Sequence, residues 1–310
     1  MGRMAREHYY GGQAVLEGVM MRGRDHWAVA VRRPQGDLHI EGHGIDSIAK
    51  RYRVLRWPGL RGVIALGQAL SIGIKALTIS ANQSAEEEEK LTPRQMAFSM
   101  TIALVIFVGV FIVLPAVVSN FARDQVGSGI LLNVAEGIFR VLLFLAYLWL
   151  IGRMKEIHRV FEYHGAEHKT IAAYEHGDEL EPSSVDRYST LHVRCGTNFL
   201  IIVMILTVFV FAFFGTPSLP WRIGSRVLAI PIIAGLAFEA LRLGARFHRS
   251  AIMRALMAPG LWLQKITTKP PSVDQIEVAI ASFRKVRTME GAEADGAPAE
   301  SPAPPVPEPD

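Results

Sequence analysis

The chain has 310 residues, 50% hydrophobic and 20% charged, with 33 Lys+Arg against 29 Asp+Glu and a single cysteine. A mean hydropathy of +0.24 is high for a soluble globular chain, so the apolar residues must be gathered in runs. The composition excludes a collagen-like chain, a chain disordered throughout and a disulfide scaffold. A net charge of +4 argues against nucleic acid as a partner.

Residues 1–95 read as a cytoplasmic N-terminal segment. Its opening, MGRMAREHYYGG, places no apolar run before a small-residue cleavage site, so no secretory signal is expected. Trp27 to Val31 and Leu38 to Glu41, separated by Pro34, Gly36 and Asp37, predict a hairpin. Leu60 to Ser80 is helical in pattern, with Arg61, Gln68 and Lys75 among small and aliphatic residues. It suits the bilayer surface and is too polar for a crossing. The basic run Lys50, Arg51, Arg53, Arg56 and Arg61 favours anionic inner-leaflet lipid. Ala85 to Lys90 is an acidic run best left in solvent.

Four apolar runs follow, at Met96–Ser119, Ile130–Ile151, Phe199–Phe214 and about Ile223–Leu243. A crossing needs about 20 residues. The predicted fold is therefore mainly α, a polytopic membrane protein with four transmembrane helices and the lipid bilayer as its partner. A small α+β cytoplasmic part is built from the N-terminal segment and the central loop. The divisions are 96–151 for the first two crossings, 152–198 for that loop, 199–245 for the second pair, 246–288 for a C-terminal helical segment and 289–310 for a disordered tail. Before the first run lie 14 Lys/Arg, and the central loop carries Arg153, Lys155, Arg159, Lys169, Arg187 and Arg194. The alternate loops at 120–129 and 215–222 hold only Arg123 and Arg222. Both termini and the central loop are thus expected in the cytoplasm, where a lone Cys195 stays reduced. Glu136 and Arg140, and Glu239 and Arg242, are spaced to pair with each other near the membrane.

The chemistry concentrates in the central loop. In His164-Gly-Ala-Glu167-His168, residues four apart on a helix share a face, so both imidazoles can reach one ion. Glu167 lies between them, where a base would stand; the H-x-x-E-H order is that of the inverted zinc peptidases, although nothing else in the chain resembles one. His192 and Cys195, three apart, supply imidazole and thiolate, a donor set suited to zinc. Cys195 could instead be a nucleophile paired with His192, and a plainer reading makes the histidines loop hydrogen-bonding groups and Cys195 a small buried side chain. Glu175 is the nearest further carboxylate. Gly11, Gly12, Gly18 and Gly23 permit tight turns and close backbone approach, without the spacing of a nucleotide-binding loop.

Gly11 to Arg22, Phe161 to Thr170, Arg194 to Thr197, Pro259 to Gln264 and Glu277 to Ile280 together resemble the YqhQ-like family of uncharacterised bacterial integral membrane proteins. The resemblance implies an inner-membrane location and a metal-dependent enzyme without a settled reaction. It carries over His164, Glu167, His168, His192 and Cys195 as metal-site residues, and Gly12, Gln13, Glu17 and Arg22 as a polar motif of unknown role. The chain departs from the pattern at Val193, where similar proteins have proline, and at Lys269. Glu17 is expected to orient a ligating histidine from a glycine-rich strand packed on the central loop. Two functions compete. One is a zinc-dependent hydrolase with Glu167 as its catalytic base. The other is a membrane adaptor that binds a protein partner or anionic lipid, its His/Cys cluster purely structural. A transporter fits less well, because no repeat is visible and the polar groups lie toward helix ends.

Overall fold

The structure, a computed structural model, describes residues 10–46, 52, 55, 57, 59–86, 92–126, 129–192, 195–214, 218–246 and 251–291. The expectations for Lys50, Arg51, Arg53, Arg56, Val193, Arg194, most of the acidic run and the C-terminal tail lie outside these residues. Four strands, β1 (Gly11–Val15), β2 (Gly18–Arg22), β3 (His26–Arg32) and β4 (Leu38–Gly44), form an antiparallel meander in that order. The chain is otherwise mainly helical: α1 (Leu60–Ser84), α2 (Pro93–Val108), a π-helical turn (Gly109–Val113), α3 (Leu114–Phe121), α4 (Arg123–Val126) and α5 (Ile130–Ile151). There follow α6 (Lys155–Glu175), α7 (Pro182–Val185), α8 (Gly196–Ala212), α9 (Leu219–Arg246), α10 (Ala251–Thr267) and α11 (Val273–Met289).

The hairpin expected at 27–41 is β3–β4, with Arg32 opposite Leu38 and Gly36 at φ 93° in the turn. Leu16-Glu17 closes β1–β2 and holds Glu17 at φ 48°. A left-handed non-glycine residue costs about 1–2 kcal/mol. Arg159, which hydrogen-bonds both Glu17 carboxylate oxygens, and the Tyr163 hydroxyl at 3.2 Å hold the side chain against that cost.

Side chains alternate across a strand, and both faces of this sheet are covered. Val19, Met21, Ala28 and Ala30 pack on Tyr163 and Ala166 of α6 and on Ile276, Ala279, Ile280 and Phe283 of α11. Val15, Met20, Trp27, Val29 and Val31 turn the other way, onto Ile72 and Ala76 of α1. Double coverage explains why Trp27 to Val31 is an unbroken apolar run instead of an alternating one.

Four helices are long and apolar enough to cross a membrane: Leu60–Ser84, Arg94–Phe121, Ile130–Ile151 and Leu219–Leu241. Three coincide with expected crossings. The fourth expected run is the apolar but shorter α8, and α1 qualifies where the sequence read as too polar. The reason lies in where α1 sends its polar groups. Gln68 accepts from Arg22 and donates to the Asp46 carbonyl, Gln83 accepts from Arg33, and Arg61 pairs with Glu239 of α9. Those partners lie on the protein side, which leaves Leu60, Leu70, Ile74 and Leu77 exposed. Glu239 therefore engages Arg61, 178 residues away, in addition to any local pairing. Phe98, Leu104 and Val105 on α2, Leu142 and Leu150 on α5, and Leu228 and Ile232 on α9 are each more than half exposed. So much outward apolar surface exceeds the patches a soluble chain tolerates.

Candidate metal centre

Helix α6 carries the H-x-x-E-H run. Gly12, on β1, Thr190 and Cys195 ahead of α8, and the end of α10 with Lys269 close over it. His164 is joined through Nδ1 to the Thr267 carbonyl oxygen at 2.9 Å, and His168 through Nδ1 to the Thr190 carbonyl. A carbonyl only accepts, so each Nδ1 carries the proton and each Nε2 is left with a lone pair. That is the tautomer of a metal-ligating histidine. The His164 Nε2 lies 3.2 Å from the Cys195 Sγ, in hydrogen-bond contact and a few tenths of an ångström closer than the roughly 3.5 Å between two ligands of one tetrahedral zinc. The His168 Nε2 is buried with no hydrogen-bond partner among the described residues. One ring nitrogen from each histidine and the sulfur all lie within 4.8 Å of one another. A buried lone pair left without a donor costs about 1–3 kcal/mol, and a cation held between the three donors would remove that cost.

Cys195 reaches this point because it is the N-cap of α8, in extended backbone at φ −64°, ψ 141°. Its sulfur accepts from the Thr197 amide at 3.3 Å and meets the Thr197 hydroxyl at 3.1 Å. These contacts favour thiolate, but burial, with the nearby Glu167, outweighs them and pushes the thiol up to about 12. Burial also lowers His164 and holds His168 well below its ordinary value, so both are neutral imidazoles at pH 7. Glu167 is pushed up to about 8 by burial, despite the Gly12 amide that donates to it. Its carboxylate stands 3.9 Å from the His164 Nε2. Without a cation the whole pocket is therefore uncharged at neutral pH.

Not every expected residue joins the group. The His192 Nε2 lies 3.2 Å from the Glu175 carboxylate, and its ring stands 5.7 Å from that of His168, outside the three-donor set. Its backbone is clamped by Gln264 of α10, which accepts from the His192 amide at 2.8 Å and donates to its carbonyl at 2.9 Å. Glu175 thus serves His192, and Glu17 serves Arg159 and Tyr163 where a ligating histidine was expected. Gln13 faces Gly73 of α1 and Arg22 bonds Gln68, both on the far side of the sheet from α6. The N-terminal motif reaches the pocket through Gly12: a Cβ there would come within 2.8 Å of the Glu167 Cγ. Gly165 has a parallel reason, since a Cβ would collide with the carbonyl oxygen of Lys269. Thr197, Asn198, Gln264 and the Thr190 and Thr267 carbonyls were not singled out from the sequence. Thr197 and Gln264 lie inside the Arg194–Thr197 and Pro259–Gln264 blocks, which give them no role.

A model of the family of proteins of unknown function called DUF1385 matches residues 57–289, which includes every donor in the pocket. The chain belongs to the DUF1385 family. It is 34% identical over 299 residues to the uncharacterised protein YqhQ of Bacillus subtilis (strain 168), covering 91% of this chain and 93% of that relative. DUF1385 membership agrees with the YqhQ-like resemblance read from the sequence blocks. No solved structure matches the chain.

Proposed function

We propose that this DUF1385 protein is a membrane-embedded, metal-dependent enzyme of hydrolytic type, with its site at the cytoplasmic face of the bilayer. The observation that carries the reading is the convergence of two backbone-anchored imidazole lone pairs on one buried thiol. His164, His168 and Cys195 would hold a divalent ion, and their nitrogen and sulfur donors suit zinc. Three donors, where a closed structural site takes four, leave a position for substrate. When bound, the ion would supply Lewis-acid polarisation of a substrate carbonyl or phosphoryl group. Glu167 then acts as the proton carrier: its carboxylate stands 3.9 Å from the His164 Nε2, and a bound cation would draw it into the ionised form that accepts a proton. The Gly12 amide fixes its orientation, and His192 with Glu175 braces the far side of His168.

The membrane arrangement rests on where α1 is tied. Its first turns meet Gly235 and Glu239, toward the end of α9, and its second half lies on the sheet beside α6. Both attachments belong to one side of the bundle. We therefore place α1 along the interface, with α2–α3, α5, α8 and α9 as the crossings and both termini in the cytoplasm. The bacterial inner membrane and anionic lipid near Arg61 are part of the same reading.

A second reading is favoured by one observation. His168 is 1% exposed and Glu167 5%. So closed a pocket also suits a metal that merely staples α6 to α8 in a non-catalytic adaptor.

Zinc titrated into chelator-stripped protein should release the Cys195 and Glu167 protons. Apparent affinity should then rise about tenfold per pH unit for each proton released. Calorimetry in two buffers of different ionisation enthalpy counts the protons. Zinc-dependent turnover of chromogenic ester, amide or phosphodiester substrates, lost in Glu167→Gln, supports the enzyme over the staple. Binding with no proton release and equal affinity in Cys195→Ser would remove both readings.

A further inference from the structure

At the opposite end of the bundle lies a second constellation. Glu136 and Arg140 stand on α5, as their spacing suggested, with Arg140 Nη2 2.8 Å from the Glu136 carboxylate. They are not alone there. Arg222 and Arg226 of α9 reach the same carboxylate at 2.6 and 2.7 Å. Ser119 of α3 donates to Glu136 at 2.9 Å and accepts from Arg222 at 2.7 Å. Among the described side chains three guanidiniums share one carboxylate, which leaves two formal positive charges in that group, and the Glu136 and Arg222 side chains are 1% and 0% exposed. Ion pairs balance the cost of burying charge only when the charges match.

The remaining donors are incompletely used. Nε and Nη1 of Arg222 are buried without a hydrogen-bond partner among the described residues. Arg226 turns Nη1 to the Arg222 carbonyl and Nη2 to Asn133 and Glu136, and its guanidinium sits 5.0 Å from the centre of the Phe211 ring. Arg140 Nε donates to the Phe111 carbonyl, which belongs to the π-helical turn. Such turns recur at functional positions in helices. Glu136 lies six residues beyond the start of α5, roughly 9 Å along its axis. For a crossing helix of 22 residues, about 33 Å long, that lies within the outermost third of the crossing.

We propose that Arg140, Arg222 and Arg226, levelled by Glu136, form a binding site for a phosphate group, carried either by a phospholipid head group or by free phosphate. A phosphate brings one to two negative charges, which matches the excess. Its oxygens also accept the paired N–H forks of arginine, which chloride cannot do. Water could satisfy the free Arg222 donors but would leave the charge unbalanced.

The test uses the full chain, delipidated in an uncharged maltoside detergent. One arm compares phosphate with chloride at equal ionic strength, and the other compares phosphatidylglycerol with diacylglycerol. At saturation the melting temperature should rise by roughly 5 °C in at least one arm, and the arm that responds identifies the source. Ser119→Asp places a carboxylate among the guanidiniums. It should raise the melting temperature without ligand and abolish the shift. Arg226→Gln should abolish the shift without the gain. The proposal is overturned if neither addition moves the wild type, or if a folded variant keeps the wild-type shift.

Discussion

Gly165→Ala should lower the melting temperature of the purified chain by roughly 5 °C and weaken its hold on zinc at least tenfold. An alanine in a helix interior ordinarily gains about 1 kcal/mol over glycine. Here the added Cβ would strike the Lys269 carbonyl oxygen, which is backbone and cannot rotate aside, and would lie 3.2 Å from the Thr190 Cγ2. Lys269 is held in place by its amide, which donates to the Phe161 carbonyl at 2.9 Å. Thr267 and Thr190 carry the carbonyls that orient His164 and His168. One methyl group therefore pushes on both imidazole anchors at once, and overpacking costs about 1–3 kcal/mol or more. Gly67→Ala in α1 is the control, because nothing lies within 4 Å of its added Cβ. It should be neutral or mildly stabilising. Equal behaviour of the two variants would show that α6 and the chain after α10 do not approach as described.

Glu167→Gln should separate stability from chemistry. Burial holds the Glu167 carboxyl up to about 8, against 4.5 for its ordinary value, so between those limits the folded chain binds a proton that the unfolded chain has lost. The contribution of this group to stability is full below pH 4.5 and is lost as pH rises through 8, by up to about 1.4 kcal/mol per pH unit. Glutamine stays neutral and can still accept the Gly12 amide. In metal-free protein the melting temperatures of wild type and variant should agree near pH 5. The variant should then gain steadily up to about pH 8. Zinc affinity should persist, since the His164, His168 and Cys195 donors remain. Turnover should fall by about 10²–10⁴ as the proton carrier is removed. A variant less stable than wild type at pH 8 would mean that Glu167 is ionised in the fold and plays no proton-carrying part.

The H-x-x-E-H face was legible because helical periodicity alone aligns residues four apart, and the β3–β4 hairpin because its turn residues separate two apolar runs. The third donor was only half legible. Spacing linked His192 to Cys195, but the extended backbone at the N-cap of α8 and the Gln264 clamp turn the two residues to different neighbours. Cys195 meets His164, and His192 meets Glu175. The polarity of α1 can be read only with its partners known: Arg61, Gln68 and Gln83 bond protein groups distant in sequence, so residue type alone overstates how polar the outer face is. Glu136 and Arg140 were visible as a local pair, whereas Arg222 and Arg226, on another helix, were not. The glycines of the N-terminal motif were conspicuous. That Gly12 is there to admit the Glu167 side chain depends on a sheet-to-helix approach that no spacing encodes.

The most direct test of the metal centre is X-ray absorption at the zinc edge on protein loaded with zinc and then dialysed. We predict one zinc per chain, with one sulfur at about 2.3 Å and two imidazole nitrogens at about 2.0 Å, the sulfur lost in Cys195→Ser. A chain that emerges free of zinc, or a zinc shell without sulfur in the wild type, would contradict the account.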